Sequence, residues 1–140
     1  MPAFNKFHSF VAARNNGVHN LGSHALKVMF TNVAPVVSNT VRANLTEIAA
    51  GNGYPAGGLT VVVTASGQTG GVYKLEVDDI VLTPTGPIGP FRYVVLYNDT
   101  PTSPADPLIG WWDYGSSITP GVGEPFTLDF SAVNGALQDS

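Results

Sequence analysis

The sequence predicts a single all-β domain over residues 1–140, and three observations predict it. Its 16 glycines and 11 prolines fall between short apolar runs, so breakers arrive too often for long helices. No long stretch repeats apolar residues at helical spacing. Several runs are instead rich in β-branched and aromatic residues and are bounded by turn residues, which is the strand pattern. A chain of 140 residues suffices for one buried core, and no internal repeat or charge run marks a second domain.

Taken in chain order, Phe7 to Arg14 allows a turn or two of helix. Leu26 to Thr31 reads as the first strand. Asn39 to Ile48 offers a second short helix that Thr40 would cap, weakened by its β-branched and Asn residues. Ala49 to Gly58 is a glycine-rich connection, with Tyr54 placed to anchor on a neighbouring surface. Leu59 to Ala65 is the next strand and Ser66-Gly67 a turn. Val72 to Val77 alternates two faces, with Lys74 and Glu76 toward solvent. Ile80 to Leu82 follows. Phe91 to Asn98 is apolar on both faces except at Arg92, the signature of a central strand buried on both sides. Leu108 to Tyr114 and Phe126 to Phe130 complete the set, the latter wet at Thr127 and Asp129. Seven such strands point to a sandwich, a jelly roll or a barrel.

Only 11% of the residues are charged and 44% are hydrophobic, against about 25% charged in an average soluble domain; the mean hydropathy is +0.14. A surface so poor in charge favours a subunit covered by neighbours over a free monomer. The six basic residues, Lys6, Arg14, Lys27, Arg42, Lys74 and Arg92, are scattered singly and the net charge is −4. That excludes the basic stripe needed for direct nucleic-acid binding. The absence of cysteine excludes disulfides, thiolate metal sites and thiol nucleophiles. Met1 to Phe10 lacks the apolar core of a secretory signal, and no segment has the roughly 20 apolar residues of a membrane span. The expectation is a soluble protein assembled in a cytoplasm, with no membrane partner.

The residues that catalysis or ligand binding would need are thinly spread. Gly51, Gly53 and Ala56 imitate a dinucleotide-binding turn, but Pro55 interrupts them and a Val-rich strand follows where a helix is required. His8, His19 and His24 lack the spacing and the carboxylate companions of a metal site. No Gly-x-Ser-x-Gly elbow occurs. Asp78 and Asp79, being adjacent, would point to opposite faces of a strand. Asp106, Asp113 and Glu124 read as turn and solvent residues unless the fold brings them together as a glycosidase pair. Asp99 with Asp106 lacks the dense spacing of a calcium loop. No cofactor is implied, and the expectation is that the protein is not an enzyme.

Two features suit a protein interface. In Gly110-Trp111-Trp112-Asp113-Tyr114, alternation sets Trp111 on one sheet face and Trp112 with Tyr114 on the other. Two large aromatic surfaces enter one core only if both faces are covered, so one face is expected to meet a partner, with Trp112 outward and Trp111 in the core. The second feature is Asn98 to Pro107, whose prolines Pro101, Pro104 and Pro107 stiffen a projecting loop. Trp111, Trp112, Tyr114, Pro101, Pro104 and Asp106 are the candidate interface residues.

Four segments carry a family resemblance: Leu26-Lys27-Val28-Met29-Phe30-Thr31-Asn32; Ile88-Gly89-Pro90-Phe91-Arg92-Tyr93-Val94-Val95-Leu96-Tyr97-Asn98-Asp99-Thr100; Leu108-Ile109-Gly110-Trp111-Trp112-Asp113-Tyr114-Gly115; and Glu124-Pro125-Phe126-Thr127-Leu128-Asp129-Phe130. The chain resembles small virion proteins of tailed bacteriophages, and among them the capsid cement, or decoration, proteins, including the dimeric kind of Bordetella phage. The resemblance implies a jelly-roll-like sandwich of short antiparallel strands and a homodimer that clamps major capsid protein subunits on the capsid exterior. It carries no catalytic residue over. The alternative is a tail, fibre or receptor-binding module in which Trp111, Trp112 and Tyr114 stack on host-surface glycans.

Overall fold

In the computed structural model, which describes residues 1–139, the β-branched and aromatic runs become ten strands. They are β1 (Phe4–Lys6), β2 (Leu26–Thr31), β3 (Leu59–Thr60), β4 (Val63–Thr69), β5 (Val72–Val77), β6 (Ile80–Leu82), β7 (Phe91–Asn98), β8 (Leu108–Ile118), β9 (Phe126–Leu128) and β10 (Leu137–Asp139). One helix, α1 (His8–Asn15), and a 3₁₀ turn at Arg42–Asn44 complete the regular structure. The strands form sheets ordered β1-β8-β7-β2-β3, β10-β5-β4 and β6-β9, and every pairing is antiparallel. The protein is therefore all-β. Sheets of five, three and two strands lend no support to the further expectation of a jelly roll, an eight-stranded double sheet.

The main core lies between the five-stranded sheet and the two smaller ones. It joins Leu26, Val28, Phe30, Val94, Leu96 and Trp112 of the large sheet to Leu75, Leu82, Leu128 and Leu137 of the small ones. Aromatic rings tie the layers together: Phe30 stacks on Phe91 at 4.4 Å, and Phe126 meets Phe91 edge-on at 5.1 Å. The opposite face of the large sheet carries a second cluster of Phe7, Met29, Val95, Tyr97 and Leu108, closed by Leu45 and Trp111. β7 is the middle strand of that sheet and is covered on both faces, which accounts for its continuous apolar run.

Several boundaries depart from the sequence pattern for identifiable reasons. The run Leu59 to Ala65 is not one strand: β3 pairs with β2 and β4 pairs with β5, so the chain changes sheets at Val61-Val62. Ser66-Gly67 lies inside β4 and is not a turn. The hairpin turn is Gly70-Gly71, where φ is +60° and +82°, the left-handed pair that a two-residue hairpin requires. β8 runs past Tyr114 because Gly115, at φ +84°, lets the strand kink and resume pairing, so that Ile118 faces Phe91. β9 stops at Leu128; the Phe130 amide leaves the ladder and donates to Asp79 Oδ1 at 2.8 Å. The helix expected near Asn39 to Ile48 shrinks to one turn, since Asn44 Oδ1 accepts the amides of Thr40 and Val41 at 3.0 and 3.2 Å and competes with helical pairing.

Residues 32–58, mostly irregular, are held to the sheet by a half-buried polar knot. Glu47 accepts hydrogen bonds from the Tyr54 hydroxyl at 2.6 Å, the Gly57 amide at 3.0 Å and Arg42 at 3.1 Å. The Tyr54 hydroxyl in turn accepts from the Phe30 amide at 3.0 Å. Tyr54 is 1% exposed, so the expectation that it anchors a neighbouring surface is overturned: its ring belongs to the core and its hydroxyl to this knot. Burial foremost, and the bond to Glu47, push its hydroxyl pKa well above the ordinary tyrosine value.

Candidate interaction surface

The aromatic candidates on β8 are divided between the two cores. Trp112 is 2% exposed and packs between Phe4 at 5.3 Å and Phe130 at 5.7 Å. Trp111 points to the other face and lies half-buried on Phe7 at 4.6 Å. Tyr114 is also half-buried, with its ring 5.5 Å from Phe126; burial foremost, with Asp129 nearby, pushes its hydroxyl up to about 12. The expected outward placement of Trp112 is thus overturned, while Trp111 packs half-buried against the second cluster. β1 makes the difference: it pairs with β8, Phe4 opposite Trp112, and covers a face that the sequence pattern left open. Gly110 leaves the space that the Phe4 ring fills, and a Cβ there would strike it.

The 98–107 loop is rooted firmly and open at its tip. The Asp99 amide donates to the Ala25 carbonyl at 2.8 Å, and the Ala25 amide to Thr100 Oγ1 at 2.7 Å. On the returning limb, Asp106 receives the Arg42 guanidinium at 3.3 Å and its carbonyl accepts the Arg42 amide at 3.0 Å. Pro101 and Asp106 are half-buried, while residues 102–105, Pro104 among them, are exposed. These contacts run to Ala25 and Arg42, not to the tryptophans, so the six candidate residues do not form one site.

A constellation that sequence spacing did not predict sits at the loop's root. Asn98, fully buried, places Nδ2 within 3.0 Å of His19 Nδ1 and 2.8 Å of His24 Nδ1, while its Oδ1 accepts the Thr100 amide. The amide donates to both rings, which fixes both Nδ1 atoms as unprotonated acceptors. Burial, and secondarily His24, push His19 down to about 4. No signal in the sequence joins positions 19, 24 and 98.

The basic side chains are all spent on ion pairs within the chain. All six basic residues are paired: Lys6 and Arg14 with Asp139, Lys27 with Asp99, Arg42 with Glu47 and Asp106, Lys74 with Glu76, and Arg92 with Asp113. Among the described residues only Asp78, Asp79, Glu124 and Asp129 have no cationic partner, which matches the net charge of −4. Asp106 and Asp113 are committed to different arginines, and Asp99 and Asp106 to Lys27 and Arg42. The bond from Arg92, then that from the Gly115 amide, holds the Asp113 carboxyl below its ordinary value. Among the described residues no group of three or more His, Asp or Glu could hold a metal ion, and no helix is long and apolar enough to cross a membrane. Val33, Val36, Val62, Val81, Val122 and Val133 are all more than half exposed.

Compared with protein families, curated proteins and solved structures, the chain has no match.

Proposed function

We propose that this protein is a structural subunit of a bacteriophage virion, a cement protein that binds the outside of the major capsid protein shell and associates with its own copies. The observation that carries the reading is the surface. Every lysine and arginine is paired within the chain, and six valines stand more than half exposed. Such a surface suits contact with protein neighbours, which desolvates few charges, and offers nothing to release counterions from a nucleic acid. The 98–107 loop adds a projecting element whose base is already ordered, so docking loses little conformational entropy. The phage shell itself enters the proposal only through the resemblance read in the sequence, strongest from Ile88 to Phe130, to small virion proteins of tailed bacteriophages.

The glycan-binding alternative loses its platform, because Trp112 lies in the core and Tyr114 is half-buried against Phe126. Copy number tests the cement reading. Quantitative gel or mass-spectrometric measurement of purified virions should give this chain in numbers comparable to the major capsid protein; a few copies per particle would instead assign it to the tail.

A further inference from the structure

We infer that β4 is a self-pairing edge, at which two copies of this chain join antiparallel about a two-fold axis into one continuous six-stranded sheet. This deepens the proposed self-association by naming its surface.

The three sheets present six edge strands. Five of them, β1, β3, β6, β9 and β10, are two or three residues long, and β1 and β10 also carry Lys6 and Asp139. Short and charged edges are how proteins block unwanted strand addition. β4 has neither protection. It spans seven residues, Val63-Thr64-Ala65-Ser66-Gly67-Gln68-Thr69, with no charge and no proline. Every residue from 64 to 69 is exposed, and the space beside Gly67 is open. A bulge between Val63 and Ala65 disturbs only its first end.

In an antiparallel ladder alternate backbone groups of an edge strand point away from its neighbour. Beyond the pairing with β5, those of residues 64–69 meet no hydrogen-bond partner among the described residues. Two-fold pairing sets this stretch against itself, so any charge within it would face a like charge, and none is present. Across the same sheet face, Val133, 77% exposed, Lys74 and Gln138 lie on the β5 and β10 side, so the free edge of β4 itself is left to strand pairing.

The test uses the full chain in solution, without phage heads, by sedimentation equilibrium. The wild type should dimerise. Ala65→Lys/Thr69→Lys, both at exposed positions, should weaken dimerisation at least about tenfold while keeping the wild-type circular dichroism. Because the chain contains no cysteine, Gly67→Cys gives a second readout: a short bifunctional maleimide should join it to its own copy faster than it joins Val122→Cys, a control whose parent side chain is 68% exposed. A monomeric wild type, a lysine variant that dimerises like wild type, or equal cross-linking at the two positions would overturn the proposal. A monomeric wild type whose head binding disappears with the lysines would also overturn it, and would assign β4 to a strand of another protein. With heads absent from the primary measurement, its failure leaves the cement reading to its own test.

Discussion

Truncating Trp112 tests the division of the aromatic residues between core and surface. Its indole is 2% exposed and contacts Phe4 and Phe130, so Trp112→Ala removes a buried bicyclic ring and leaves a cavity. Such truncations cost about 3–5 kcal/mol. Unfolding entropy of about 2.1 cal/mol/K per residue gives about 0.3 kcal/mol/K for a chain of this length, so the melting temperature should fall by about 10–17 °C. Trp111→Ala, which loses a half-buried ring against Phe7, should cost about half as much. Scanning calorimetry of both variants beside wild type measures the difference. If Trp112→Ala melts within about 2 °C of wild type, or less far below it than Trp111→Ala does, the assignment of Trp112 to the core is refuted.

Three further outcomes are expected. His19, held at about 4 in the fold against 6.5 in the open chain, binds more protons when unfolded; its contribution is complete above about pH 6.5 and is lost as pH falls toward 4. Arg14 and Asp139, which line the same cavity as His19, cancel one another as an ion pair. Allowing for the ring's partial exposure, unfolding free energies from urea titrations at pH 7 and pH 4 should differ by about 1–2 kcal/mol from this group, and His19→Gln should remove that share. Glu47→Gln leaves the Tyr54 hydroxyl, the Gly57 amide and Arg42 with a weaker, uncharged acceptor, and should lower stability by about 1–3 kcal/mol in the same assay. Gly58→Ala should be severely destabilising and Gly70→Ala tolerated better: φ is positive at both, but a Cβ at Gly58 strikes the Val28 carbonyl while Gly70 faces open space. Similar melting temperatures for the two would contradict the close packing of Gly58 on β2.

What the sequence made legible was local. β2, β5, β6 and β7 have the bounds that alternation and breakers predict, and β7 is central, as its two apolar faces require. What the sequence hid depends on long-range partners. Val61-Val62 continues one apolar run, so nothing local reveals that the chain changes sheets there. Trp112 looked available because Phe4, which covers it, stands more than a hundred positions away in a segment with weak strand character. Tyr54 sits among glycines that suggest a loose loop, and only the fold shows that Glu47 and the Phe30 amide take up its hydroxyl. Of the candidate interface, the prolines marked the 98–107 loop as an excursion between strands, but the hydrogen bonds to Ala25 and the ion pair between Asp106 and Arg42 that hold its base were not legible. The exposed length of β4 was obscured because Ser66-Gly67 has turn composition.

Binding to phage heads that lack this protein tests the central claim most directly. Purified chain is mixed with expanded heads and co-sedimented, and the loaded heads are then heated beside bare ones. A cement role predicts saturable binding in high copy and heads that withstand a higher temperature. No binding, or binding that leaves the heat resistance of the heads unchanged, would contradict it.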